Sequence, residues 1–406
     1  MQKLKSTSVQ LKKVMTIFLT SLSGYETMKR IKPFPRCSKR GIVEVQFNWI
    51  FIMIAGGLIL FFFMTVISYQ QQLSKNKLGV ELASQLELIF SGRGVSPGAK
   101  QPIDIADVPI QFECTEYRVM DQRIASGTVL IFAPAELATK KLLTITMSFD
   151  LPMRTNTMIM MTSPSIKYYF VNFGPMQEKI STLLDFPLAQ EGEKIDYAFI
   201  QPTDVTTLNY ENNPFVKFII NSDDIATQPP ALPPSFAGVG DAQVSAVVVN
   251  ENLIGDEENL QSSPLAFYQK QGTGWQAEQS GGSPFTLGFP SFIGAVFAKD
   301  QNMYTCLMSR ALRRATQVVE ISRDRADALQ AFYNSGGAAI TSTEMQQCAV
   351  IAAQGGAALA SIDAAMAANE NNEITISVKS EEFTQRLKAA NQANKDAVLN
   401  SCPALY

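Results

Sequence analysis

From Val45 to Ser74 the chain carries no charged side chain, and the stretch from Phe47 to Tyr69 is almost wholly apolar. About 20 such residues cover the hydrocarbon core of a bilayer, ~30 Å thick. Inside lipid the backbone polar groups find no water, so a single segment can satisfy them only by coiling into a helix. The run is therefore expected to be one transmembrane helix with the lipid bilayer as its partner. Trp49 and Tyr69 stand near its two ends, where amphipathic aromatics anchor a span at the headgroups. A cleaved secretory signal would have an apolar stretch of roughly 7–15 residues ending at a small-residue site; this one runs on into Tyr69-Gln70-Gln71-Gln72.

Orientation follows from the charges on either side. Residues 1–41 hold ten basic side chains against the single acid Glu26, a balance of +9, whereas residues 70–406 hold 24 basic and 35 acidic ones, a balance of −11. The positive-inside rule places the N-terminus in the cytoplasm and the large C-terminal part outside. Beside a span the basic stretch reads as topogenic, so no nucleic-acid partner is expected. Val14–Thr20 is too short to cross a bilayer, and Met28 offers a second start close to the span. The leader 1–41 is expected to be disordered or cleaved.

The junction Lys39-Arg40-Gly41 followed by Ile42-Val43-Glu44-Val45-Gln46-Phe47 resembles the class III signal of archaeal and bacterial type IV pilin-like proteins. The longer string Glu44 to Phe51 followed by Ile54-Ala55-Gly56 is similar to uncharacterised archaeal single-pass membrane proteins. The resemblance covers about 30 residues around the junction. It implies cleavage between Gly41 and Ile42, with Glu44 as an early acid of the mature helix, at the third position where the family has the fifth. It also implies that the helix serves as both anchor and assembly surface, so other membrane or pilin-like subunits are expected partners.

Past the span, Leu78, Leu82, Leu86 and Phe90 recur every four residues until Gly92-Arg93-Gly94 interrupts. A transmembrane and juxtamembrane helix is therefore expected over 45–91, either continuous or as two pieces. Beyond Pro97 the period changes to two. Ile110–Cys114 and Leu143–Phe149 alternate, so each is expected to be a strand with one buried face. Apolar runs at Val129–Phe132, Tyr168–Val171, Tyr197–Ile200, Phe215–Ile220 and Val244–Val249 read as strands buried on both faces. Met176, Ile180, Leu183 and Leu184 have helical spacing between two of them, which makes a β-α-β unit.

The expected outer part is α+β or α/β: a mixed sheet with helices, first as a three-layer sandwich, with an all-β sandwich as the alternative. It divides into a β-rich domain over 98–300, with loop insertions at 223–242 and 250–290, and a C-terminal helical region over 301–406. Gly294–Ala298 is read as the last long strand. A first long helix is expected from about Met303 to Tyr333, burying Leu307, Ala311, Ala315, Val318, Ser322, Leu329 and Phe332. The capping box Thr341-Ser342-Thr343-Glu344 opens a second helix running to about Ala368. Ser380 opens a third that buries Phe383, Leu387, Ala390 and Val398.

Cys37 falls on the cytoplasmic side, while Cys114, Cys306, Cys348 and Cys402 fall outside. Four cysteines in an oxidising compartment allow three disulfide connectivities. If the second and third helices form an antiparallel hairpin, Cys348 and Cys402 lie ~29 Å and ~34 Å from its turn and can meet. Cys306 lies ~40 Å from the turn into the second helix, too far to reach Cys348. The pairing expected is Cys348–Cys402 with Cys114–Cys306; zinc is the alternative, without a C-x-x-C pair to support it.

The sequence contains no histidine. Ser-His-Asp and Cys-His catalysis, His-ligated zinc and imidazole switching are therefore excluded. No catalytic, cofactor-binding or metal-binding residue is assigned. The acidic pairs Asp223-Asp224, Asp256-Glu257-Glu258 and Glu381-Glu382 read as surface or helix-start charges, and the Gly-rich Ser280-Gly281-Gly282-Ser283 lacks a phosphate-loop spacing. The expected function is a non-enzymatic, membrane-anchored extracytoplasmic protein acting in surface assembly, adhesion or binding. The alternatives are a carboxylate-based tethered hydrolase and an accessory subunit of a transport or secretion complex.

Overall fold

The computed structural model describes residues 41–93, 96–120, 122–186, 194–211, 213–224, 228–254, 262–278, 284–335, 343–367 and 381–406. The basic leader, the second start at Met28, Asp256-Glu257-Glu258, Ser280–Ser283, Thr341-Ser342 and Ser380 lie outside the described residues.

Helix α1 runs unbroken over Gly41–Arg93, so the span and the juxtamembrane pattern are one element. From Trp49 to Tyr69 its large apolar side chains are exposed. Residues from Gln71 onward belong to a separate compact unit that continues to Tyr406. In that unit Leu82, Leu86 and Phe90 are buried, whereas Leu78 is 40% exposed. A four-residue repeat drifts by about 40° per step around a helix of 3.6 residues per turn, so Leu78 has left the buried face that the other three share. The Phe90 ring meets Tyr117 edge-on at 5.3 Å.

Two sheets follow. The first comprises β1 (Lys100–Phe112), β2 (Glu116–Val119), β3 (Gln122–Ala125), β4 (Leu130–Phe132), β5 (Glu136–Asp150) and β6 (Arg154–Thr162), in the order β3-β2-β1-β5-β6-β4. All its neighbours are antiparallel except β4 and β6. β1 keeps the expected alternation, with Val108, Ile110 and Phe112 inward. β5 does not, because Thr144 and Thr146 are fully buried too. Each threonine donates to a nearby carbonyl, Thr144 Oγ1 to Gln101 O at 3.0 Å and Thr146 Oγ1 to Ser96 O at 2.8 Å. Satisfied hydroxyls can be buried at little cost, so the polar half of an alternating strand need not face water.

The second sheet comprises β7 (Ile166–Val171), β8 (Asp196–Ile200), β9 (Phe215–Asn221), β10 (Val244–Val249), β11 (Ser262–Gln271) and β12 (Gly274–Ala277), in the order β12-β11-β10-β9-β7-β8. β13 (Phe285–Leu287) also pairs with β11. β7, β8, β9 and β10 are parallel, and helix α2 (Gln177–Leu184) crosses from β7 to β8 as the β-α-β spacing implied. Alternate residues feed two cores: Tyr168 and Phe170 enter the large one, Tyr169 and Val171 a smaller one on the other face. β8 is half-buried throughout, a sheet edge and not a doubly covered strand. The expected insertion at 250–290 contains β11, β12 and β13.

The run read as a last strand, Gly294–Ala298, ends helix α3, Gly288–Phe297, with Ala298 as its C-cap. All ten of its residues are buried, so no polar side marks a helical period, and a short apolar run leaves strand and helix undistinguished. Pro290 sits in its first turn, where no N–H is required. The helix packs against both sheets. A Cβ on Gly294 would stand 3.0 Å from the Phe132 ring of the first sheet, while Phe297 lies 5.3 Å from Tyr168 of the second.

Three helices complete the unit: α4 (Gln301–Ser335), α5 (Thr343–Ala367) and α6 (Glu381–Leu399). α4 buries Val319 and Ala326, while Val318 is half-buried and Phe332 is 63% exposed. α6 buries Phe383, Leu387, Ala390 and Ala397, and Val398 faces outward. Arg323 of α4 pairs with Asp363 of α5, and Arg386 of α6 donates to Ser361 O at 2.8 Å. α5 is long and apolar enough to cross a membrane, but it packs between α4 and α6 as a bundle helix. One core continues from Leu82 through both sheets to Leu405, so residue 300 marks no boundary. The architecture is α+β.

Candidate functional site

A cleft of about 600 Å³ opens at the edge of the first sheet. Glu87 and Phe90 of α1 form one wall, Tyr117 and the 125–129 turn another, and Arg154 to Thr157 with Arg314 of α4 the rest. These residues are distant in sequence and meet through three devices. Phe90 seats α1 on Tyr117. A disulfide joins Cys114, just before β2, to Cys306 in the first turns of α4, with 6.0 Å between the Cα atoms. One helical turn later, Arg310 donates to Cys114 O, to Ser126 Oγ at 3.0 Å and to Gly127 O, pinning the turn that rims the cleft.

The cleft lining is mixed, polar and apolar. Arg154 donates to Thr157 Oγ1 at 2.7 Å, and buried Asn156 donates to Ala311 O at 2.9 Å. Tyr117 is 2% exposed, yet its hydroxyl has no hydrogen-bond partner among the described residues. Burial, and then the nearby Glu87 carboxylate, push this phenol up to about 12, so it stays neutral near pH 7.

A second unusual group is Lys217 on β9, inside a run read from sequence as apolar. Its Nζ is buried and donates to Ala295 O at 2.9 Å and Ala298 O at 2.5 Å. Those carbonyls end α3, where the helix dipole is negative and the last acceptors lack helical partners. Lys100 of β1 treats α2 in the same way, donating to Thr182 O at 2.5 Å. Both lysines therefore cap a helix from a strand. Burial pulls Lys217 down to about 7, against the raising influence of Glu278 and Asp300.

The unfolded lysine, near 10.5, holds its proton where the folded one has lost it. Between pH 7 and 9 the unfolded state thus binds more protons, and this residue's contribution to stability rises with pH, by roughly 1 kcal/mol per unit. Comparing guanidinium unfolding of the full chain in detergent with that of Lys217→Met at pH 7, 8 and 9 checks this. The expected difference grows toward pH 9 in favour of the native lysine; a pH-independent difference contradicts the assignment.

Ligands of open α/β sheets often sit beyond the carboxyl ends of the strands where strand order reverses, here between β7 and β9. Side chains fill that position. Asn221 donates to Asn172 O at 3.0 Å and to Glu251 Oε1 at 2.9 Å, and Glu251, 6% exposed, accepts from Gly174 N at 3.1 Å.

Of the residues singled out from sequence, Gly41, Ile42 and Glu44 form the first turn of α1, and Trp49 and Tyr69 are exposed upon it. Cys348 is joined to Cys402, 5.6 Å apart at Cα, closing the α5–α6 hairpin. Asp223 and Asp224 are exposed beyond β9, and Glu382 pairs with Arg386 on its own helix. None of these lines the cleft. Tyr117, Arg154 and Arg314 carry no local motif that reveals them; Lys217 was detectable as a charge inside a doubly buried strand. No family model, no curated protein and no solved structure matches this chain.

Proposed function

We propose that the protein is a single-pass, membrane-anchored extracytoplasmic protein that acts by binding and assembly at the cell surface, with a pilin-like anchor helix. The observation that carries this is the change of burial along α1: apolar side chains exposed from Trp49 to Tyr69, then Leu82, Leu86 and Phe90 seated in the outer unit. Both segments belong to one unbroken helix. The +9 leader sets the N-terminus inside, and the disulfides agree with an oxidising exterior. Binding is favoured over hydrolysis because glycosidase chemistry needs two carboxylates across the substrate, and the described cleft wall carries one, Glu87.

N-terminal sequencing of protein from membranes is the test. A mature terminus at Ile42 is expected. An intact leader would remove the pilin-type processing, and protease digestion of the C-terminal part only from the cytoplasmic side would reverse the topology.

A further inference from the structure

The second sheet ends at β8. An unbroken register, Lys167↔Asp196 to Val171↔Ile200, joins it to β7 on one side, and no strand among the described residues pairs with its other side. Asn172 N donates to Ile200 O, so the backbone groups of Ile200, and with them those of Ala198 and Asp196, point toward β7. These groups alternate sides along a strand, which leaves the N–H and C=O of Tyr197 and Phe199 pointing outward, without a partner among the described residues. Natural edges are usually blunted by lysine, proline, a bulge or a covering element. β8, Asp196-Tyr197-Ala198-Phe199-Ile200, has no lysine, proline or bulge, and its one charge, Asp196, is paired with Lys167 of β7 at 2.5 Å.

The side chains point to what would pair there. Tyr197 and Phe199 are half-buried, with ring centres 6.4 and 5.2 Å from Phe170, so an aromatic cluster runs out to the edge. The order of large, small and large side chains is symmetric about Ala198. An antiparallel copy of the same strand, turned about an axis at Ala198, sets Tyr197 opposite Phe199 of the copy. Both carry outward backbone groups, so each such pair exchanges both of its N–H···O bonds. Ala198 then meets its own copy in the close, non-hydrogen-bonded position, where Cα atoms stand about 4.5 Å apart and a methyl group fits. Opposite residues share a face, so the two aromatic clusters join, while Asp196 falls opposite Ile200 of the copy and no like charges meet.

We propose that β8 is a docking edge for β8 of a second copy of this chain, paired antiparallel about Ala198 into one continuous sheet. The edge belongs to the unit Gln71–Tyr406, so this pairing goes beyond the anchoring read from α1 and is independent of how the leader is processed.

Sedimentation velocity of the full-length protein in detergent micelles tests this. A monomer–dimer equilibrium is expected with Kd on the order of 10 µM, since strands this short bury little area. Ala198→Lys sets two like charges face to face on the axis and is expected to weaken dimerisation at least about tenfold. Cysteine at the same place gives a readout that does not depend on how that lysine is tolerated. Ala198→Cys, combined with Cys37→Ser, puts two thiols at a Cα separation that a disulfide spans. Mild oxidation is expected to give covalent dimers at least about tenfold faster than from Gln276→Cys in the same background, because paired edges raise the local thiol concentration. Gln276 is exposed on β12, at the opposite end of the sheet. A chain that stays monomeric up to about 100 µM, a dimer that survives Ala198→Lys, or equal crosslinking from the two cysteine positions would overturn the proposal.

Discussion

Replacing both Cys114 and Cys306 by serine is expected to destabilise the protein by up to about 5 kcal/mol, against about 4 kcal/mol for the Cys348 and Cys402 pair. The order follows from loop length, since the bridged positions are 192 and 54 residues apart and the longer loop removes more entropy from the unfolded chain. In the native state Arg310 still holds the same turn through Ser126 and Gly127. The first bridge therefore acts chiefly on the unfolded chain, and the variant should keep its fold at reduced stability. Guanidinium unfolding of the full chain in detergent measures both losses. Intact mass with and without reductant checks that the bridges form, and five free thiols in the unreduced full chain, where one is expected, would refute both pairings.

A comparably large loss is expected for Phe292→Ala. The Phe292 side chain is fully buried in α3, 6.0 Å from the Phe173 ring at the end of β7 and 6.1 Å from Phe289. Truncating such a ring costs roughly 3–5 kcal/mol, the transfer contribution plus a cavity. Total stability is usually about 5–15 kcal/mol, so a large share would be lost. Phe332→Ala is the control, because that ring is 63% exposed and its removal should change stability by about 0.5 kcal/mol or less. Equal midpoints for the two variants in a denaturant titration would show that α3 is not the common layer between the sheets.

How far the fold was legible depended on whether its signals were local. The helical span over 45–91, the β-α-β unit around α2 and the approximate bounds of α4, α5 and α6 follow from periodicity and caps within single segments. The cysteine pairing was accessible because helix rise turns residue number into length, and both bridges in the structure match that reckoning. The same reasoning failed where burial was complete. Gly288–Phe297 has no polar face to display its period, and Thr144 and Thr146 bury polar side chains that looked like an outer face.

By itself, the sequence determined the apolar span from Val45 to Ser74, the charge difference across it and the absence of imidazole chemistry, because these depend on composition along a line. Only the tertiary structure decided that the strands form two sheets, that a buried helix joins them and that Lys217 ends that helix. It alone brought Glu87, Tyr117, Arg154 and Arg314 to one cleft. Strand pairing and cavity walls are set by contacts between residues far apart in the chain, and such contacts leave no mark on any short stretch of sequence.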